Sequence, residues 1–351
     1  MVDEVLFSKE ASLGVITLNR PNALNALTLN MILKMQRQLS LWKEDTTVHA
    51  VILRSVPGNA FCAGGDIRTL YYSGQGNDAE QMQFFWHEYR LNHYIHHFSK
   101  PYISLMDGIV MGGGVGISMH GSHPVASERF VFAMPETGIG FFPDIGASYL
   151  LTRCPGSLGI YLGLTGNRLG AQDALNAGLV KKVVSSDKMP ALYDALMNED
   201  LSTDAFERVN QCLQRFTGSS DTEAASQINP IMEECFKHPT VETIRESLQK
   251  SNTEWSATTD KTLSHKSPLS LKITLAQLQK ATGLSLAGCL QMDYTIVRHF
   301  MHHSDFYEGV RALLIDKDKN PQWNPKSLDL VTEQMVQEYF TRSHPVLELI
   351  E

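Results

Sequence analysis

Several features that would fix a class at once are missing from this sequence. Basic residues do not predominate: 30 Lys and Arg stand against 38 Asp and Glu, a net charge of -8, the wrong sign for a surface that wraps nucleic acid or anionic lipid. The five cysteines, Cys62, Cys154, Cys212, Cys235 and Cys289, are odd in number and scattered, with no C-x-x-C pair. That excludes a disulfide framework and a zinc knuckle and fits reduced thiols. No apolar run approaches the roughly 20 residues of a membrane span. The opening MVDEVLFSKE carries no basic or Arg-rich leader, so a cytoplasmic protein is expected. A G-x-G-x-x-G pattern fails at Ile117, no G-K-[ST] occurs, and the H-E-x-x-H pattern begun by His87-Glu88 meets Leu91. Dinucleotide, nucleoside triphosphate and zinc-hydrolase sites are therefore not expected. His93, His96 and His97 read as solvated residues at a helix end, and His120 and His123 lack a neighbouring ligand partner.

What is present suits a globular protein of one large or two unequal domains, with 351 residues, 43% hydrophobic and 19% charged. Two short strands are expected around residues 11–14. An amphipathic helix capped by Thr28 follows, with Leu29, Ile32, Met35, Leu39 and Trp42 at helical spacing. Residues 48–56 read as a buried strand, 78–98 as a second helix, 102–106 as a strand and 125–133 as a strand or hairpin. Strand, helix, strand in that order favours parallel pairing. After Val184 strand signals become rare, and helical stretches alternate with polar joints at 218–220 and 251–259. The fold class is α/β, with residues 1–186 forming the α/β core and 187–351 a mainly helical region.

Two glycine-bearing loops carry the chemistry. AFCAGGDI (60–67) follows a buried strand, with Asp66 suited to cap the next helix, and MGGG (111–114) opens another helix start whose N–H groups are unpaired. One N–H from each would stabilise a developing oxyanion; tight backbone packing explains either loop alone equally well. Ser118 resembles a nucleophile elbow, but His120 stands where that motif needs glycine. Among the carboxylates, Glu88 lies inside the apolar stripe Phe84, Leu91, Ile95 and Phe98, so it faces the core or a cleft unless it snorkels or pairs with Arg90 or His87. Glu136 and Asp144 share the apolar loop AMPETGIGFFPDIG, where burial would raise their pKa values into a useful range. Capping a helix that begins near Ile145 is the plainer role for Asp144.

The blocks RPNALNAL (20–27), AFCAGGDI (60–67), DGIVMGGGVGIS (107–118) and FAMPETGIGFFPDIGASYLL (132–151) resemble the crotonase, or enoyl-CoA hydratase, superfamily. FFWHEYRLN (84–92), SPLSLKITLAQL (267–278) and DFYEGVRALLIDKDKNPQW (305–323) resemble its 3-hydroxyisobutyryl-CoA hydrolase branch. That resemblance implies a crotonase-like spiral of ββα units followed by a mainly helical C-terminal region. Coenzyme A would lie near Ala23, Ala63 and Asp66, and the oxyanion hole would be the N–H groups of Gly65 and Gly113. Glu136 and Asp144 would be catalytic, and Glu88, Gly113, Glu136 and Asp144 would bind substrate. Hydratases of the superfamily use two glutamates; here the first position is Gly116. The implied activity is hydrolysis of an acyl-CoA thioester in valine degradation, without metal or cofactor, since coenzyme A is part of the substrate. No nucleic acid or membrane partner is implied, and a homo-oligomer is allowed. The alternatives are an enoyl-CoA hydratase or isomerase, or a non-catalytic CoA-binding protein, on the same fold.

Overall fold

The computed structural model of the protein describes residues 3–76, 78–216, 229–342 and 345–350. The chain opens with an antiparallel hairpin, β1 (Val5–Glu10) on β2 (Leu13–Leu18), in register from Val5 opposite Leu18 to Glu10 opposite Leu13. Its turn is only Ala11 and Ser12, with Ala11 at φ 50°; Leu13 and Gly14 already pair within β2. Helix α1 (Leu29–Glu44) starts at Thr28, whose hydroxyl accepts the Met31 N–H at 3.2 Å. Its stripe of Met31, Ile32, Met35, Leu39 and Trp42 is buried, each such side chain contributing roughly 1.5–3 kcal/mol.

Eight further strands follow: β3 (Ala50–Ser55), β4 (Ala60–Cys62), β5 (Tyr102–Met106), β6 (Ile109–Met111), β7 (His123–Ala126), β8 (Val131–Ala133), β9 (Leu169–Gly170) and β10 (Lys182–Val183). One sheet has the order β1-β2-β3-β5-β7-β10 and the other β4-β6-β8-β9. Each turn of the chain thus lays one strand in each sheet. Residues 125–133 are accordingly not a hairpin: β7 and β8 belong to different sheets, and the segment between them crosses over, with Ser127 N–H bonded back to Met106 O. Because β4, β6 and β8 pair in parallel, their carboxyl ends meet at one edge, the usual place for a ligand site in an α/β sheet. Three loops leave that edge. One enters α2 (Ile67–Gln75), from which the chain continues into α3 (Glu80–His96); one enters α4 (Gly113–Met119); the third is the loop of residues 134–146.

Among the described residues from Ser186 onward, regular structure is helical. The joint expected over 251–259 shrinks to Asn252 and Thr253, because the Thr253 hydroxyl caps a helix that begins at Glu254; the joint at 218–220 lies outside the described residues. Phe300 and Phe306 each pack 5.5 Å from the Phe141 ring, and Phe300 stacks on Phe142 at 5.3 Å. The helical region therefore backs the third loop. His93 is buried rather than solvated, with Nδ1 2.9 Å from the carbonyl of Ile350. Among the described residues no helix is long and apolar enough to cross a membrane.

Candidate active site

The three loops and α3 enclose a cavity of about 80 Å³. Larger grooves of about 320 and 590 Å³ lie elsewhere, but neither gathers buried carboxylates. The small cavity does: Glu88, Glu136 and Asp144 all line it, with Gly65 and Gly113 between them. Glu88 reaches it because α3 turns its Phe84 and Phe85 face inward, and the carboxylate follows one turn later. It neither snorkels to solvent nor pairs with Arg90 or His87.

The glycines are needed where the loops meet. Gly112 adopts φ 47°, ψ -125°, a backbone only glycine reaches readily. Gly113 begins α4, so its N–H has no partner within the helix, and a Cβ on it would collide with Glu88 Oε1 while lying 3.3 Å from Gly65 N. The backbones of Gly65 and Gly113 are therefore neighbours, and neither N–H donates to a backbone carbonyl among the described residues. Two neighbouring backbone donors can serve an anionic oxygen when both point to it.

The carboxylates are held in unusual states. Glu88 Oε1 and Glu136 Oε2 are buried without a hydrogen-bond partner. Burial first, then the charges of Asp144 and Glu136, push Glu88 well above the usual carboxylate range. Glu136 is raised by burial and then by Asp144, with a smaller opposing pull from its backbone hydrogen bond and Lys266. Burial raises Asp144 to about 7, against the Tyr89 hydroxyl, which donates to Asp144 Oδ2 at 2.7 Å and favours the charged form. Burial and the mutual repulsion of these carboxyls therefore disfavour ionising all three together. Asp144 is not a side-chain helix cap: that helix starts at Ala147 after Gly146, and only the Asp144 main-chain carbonyl accepts from it, at 2.8 Å.

Of the other residues singled out, Ala63 lines the cavity and its N–H donates to Leu24 O at 3.0 Å, tying in the turn Pro21–Ala23. Ala23 itself is not in the lining. Asp66 caps α2 through Thr69 N–H at 3.2 Å and pairs with Arg20 at 2.7 Å, so its carboxylate is occupied outside the cavity. Ser118 Oγ donates to Gly114 O at 2.6 Å deep inside α4. The sequence offered no signal for Tyr89 beyond its place next to Glu88.

A sequence profile described as enoyl-CoA hydratase/isomerase matches residues 13–340. The chain belongs to the enoyl-CoA hydratase/isomerase family. It is 45% identical over 346 residues to a Xenopus tropicalis protein named 3-hydroxyisobutyryl-CoA hydrolase, mitochondrial, covering 96% of this chain and 89% of that one. A Homo sapiens protein of the same name is 42% identical over 345 residues, covering 96% and 88%. Among solved structures, a carnitinyl-CoA dehydratase from Mycobacterium thermoresistibile superposes with a TM-score of 0.90 at 35% identity, covering 99% of both chains. An enoyl-CoA hydratase from Rhodobacter sphaeroides 2.4.1 gives 0.87 at 34%, covering 99% of this chain and 100% of that one. The crotonase-like spiral with its helical C-terminal half is thus the fold of this family member.

Proposed function

We propose that the protein is an acyl-CoA thioester hydrolase that converts 3-hydroxyisobutyryl-CoA and water to 3-hydroxyisobutyrate and coenzyme A. One observation carries this reading: the acids around the Gly65 and Gly113 N–H groups are Glu88, Glu136 and Asp144, while the hydratase position on α4 is Gly116. A Cβ there would lie 2.7 Å from Asn92 Nδ2, so a larger residue at that position would have to displace the Asn92 amide. That weighs against the hydratase and dehydratase chemistry in the names of the solved structures and supports the activity named for the relatives at 42–45% identity. The cavity, about 80 Å³ against ~300–1,000 Å³ for drug-sized ligands, suits a short acyl group, and Phe84 and Phe141 give it apolar walls.

In this reading the thioester carbonyl oxygen accepts from Gly65 and Gly113, each donor contributing about 2.7–4 kcal/mol to the transition state. Glu136, made a strong base by its raised pKa, takes a proton from water whose oxygen attacks the carbonyl carbon, or attacks that carbon itself to form an anhydride that water opens. The C–S bond breaks as the oxyanion collapses, and the thiolate leaves as coenzyme A. Asp144 receives the 3-hydroxyl of the substrate or positions the water, and Glu88 orients the acyl end. The pantetheine arm leaves past Ala63 near Ala23, with Asp66 bracing that loop. Residues 1–186 supply this chemistry in the proposal and 187–351 support it. The five free cysteines are compatible with a cytoplasmic location, whereas the relatives are named mitochondrial; cell fractionation decides it, and light scattering decides homo-oligomer formation. The test of function is thiol release from 3-hydroxyisobutyryl-CoA by purified protein, lowered about 10²–10⁴-fold in Glu136→Gln. A wild type without release refutes it.

A further inference from the structure

Asp144 is presented by a turn in which the Ala147 N–H donates to Asp144 O at 2.8 Å. The next residue, Ile145, is β-branched yet stands at φ 58°, a left-handed conformation such side chains rarely adopt. Outliers of this kind persist where the surroundings over-determine them. Here three buried side chains from other elements grip the peptide groups on either side. Gln277 Nε2, in the Pro268–Ala281 helix, donates to Pro143 O at 2.9 Å and to Asp293 Oδ1 at 2.8 Å. Asp293, in the Leu286–Phe300 helix, accepts the Gly146 N–H on Oδ2 at 2.7 Å. His120, directly after α4, donates from Nε2 to Ile145 O at 2.8 Å. Burial keeps His120 neutral, its pKa lowered to about 4, so it carries a single ring proton and the Ile145 carbonyl fixes that proton on Nε2. Gln277 and Asp293 are fully buried and His120 is 3% exposed, so water is not there to replace these bonds.

We propose that Gln277, Asp293 and His120 form a clamp that imposes the left-handed turn at Ile145 and thereby aims the Asp144 carboxylate into the cavity. None of the three lines the cavity; all act through Asp144, as positioning residues. Asp293 is the centre of the clamp, because it joins the Gly146 N–H to the Gln277 amide and so ties two C-terminal helices to the loop. The helical region thus bears on the reaction without touching substrate.

The clamp rests on the hydrolase reading for its assay, which is a double-mutant cycle on kcat/KM for 3-hydroxyisobutyryl-CoA. Asp293→Ala should lower kcat/KM by about 10–100-fold, the scale of a misplacement near 1 Å. Asp293→Asn keeps an oxygen for the Gly146 N–H but turns its own amide N–H donors toward Gln277 Nε2, so it should lose less than Asp293→Ala, about 3–10-fold. In an Asp144→Asn background, Asp293→Ala should change kcat/KM by less than about 2-fold, because the group being aimed is already gone. Losses that multiply in the double variant, equal losses for Asp293→Ala and Asp293→Asn, or an Asp293→Ala protein with wild-type turnover would each overturn the clamp. If circular dichroism shows that Asp293→Ala does not fold, Gln277→Leu enters the same cycle under the same criterion. A wild type that releases no thiol rejects the hydrolase reading instead, and the cycle is then run on crotonyl-CoA hydration.

Discussion

Removing the Tyr89 hydroxyl isolates the charge state of Asp144. The ring of Tyr89 is fully buried and packs edge-on to Tyr294 at 6.4 Å, so Tyr89→Phe keeps the packing and deletes only the O–H that donates to Asp144 Oδ2 at 2.7 Å. A hydrogen bond to a charged group contributes roughly 1.5–3 kcal/mol, or about 1–2 pKa units at ~1.36 kcal/mol each. The bond favours the carboxylate, so its loss raises the Asp144 pKa from about 7 to roughly 8–9. If Asp144 works ionised, the acid limb of kcat against pH moves up by the same amount. The ionised fraction at pH 7 then falls from about one half to roughly 1–10%, a loss of about 5–50-fold in kcat, which is largely recovered near pH 9.5. The assay is thiol release at saturating 3-hydroxyisobutyryl-CoA from pH 5.5 to 9.5, with the uncatalysed rate subtracted. A profile that overlays wild type, or one lowered equally at every pH, would refute an ionised Asp144 held by Tyr89.

Glu136→Gln should lower kcat by about 10²–10⁴ with KM little changed, seen in steady-state kinetics of thiol release. Asp144→Asn should penalise 3-hydroxyisobutyryl-CoA over isobutyryl-CoA by about 10–150-fold, because only the hydroxylated substrate loses a charge-assisted hydrogen bond of roughly 1.5–3 kcal/mol; equal losses would move Asp144 to water positioning. Glu88→Gln should stabilise the protein more at pH 8 than at pH 5 in thermal unfolding. Glu88 is raised well above 4.5 in the folded state, so above that value the folded chain binds more protons than the unfolded one and wild-type stability falls as pH rises. A gain that is the same at both pH values would contradict a buried, proton-retaining Glu88.

The site was legible in the sequence where a residue type is itself the chemistry. Gly65, Gly113, Glu88, Glu136 and Asp144 were each singled out from loop composition, a helical stripe or the family resemblance, and the fold brings all five to one cavity. The place of Asp66 before a helical stretch signals its cap on α2, whereas its pairing with Arg20, 46 residues away, has no local signal. The crossover between β7 and β8 leaves no mark in the sequence, because strands of three or four residues are too short to show alternation and a two-sheet spiral puts neighbouring strands in different sheets. Burial of His93 depends on a carbonyl 257 positions away, and the Ile145 turn depends on Gln277 and Asp293, more than a hundred residues downstream. Local pattern carries no information about such partners.

The central claim is thioester hydrolysis rather than hydration, and the most direct measurement runs both on one preparation. Thiol release from 3-hydroxyisobutyryl-CoA is followed with a thiol reagent, beside ultraviolet loss of the conjugated thioester of crotonyl-CoA. With no carboxylate at Gly116, hydrolysis should exceed hydration in kcat/KM by at least about 100-fold, the scale of a missing acid–base group. Crotonyl-CoA hydration equal to or faster than thiol release would contradict the assignment of Glu136 and Asp144 to hydrolysis.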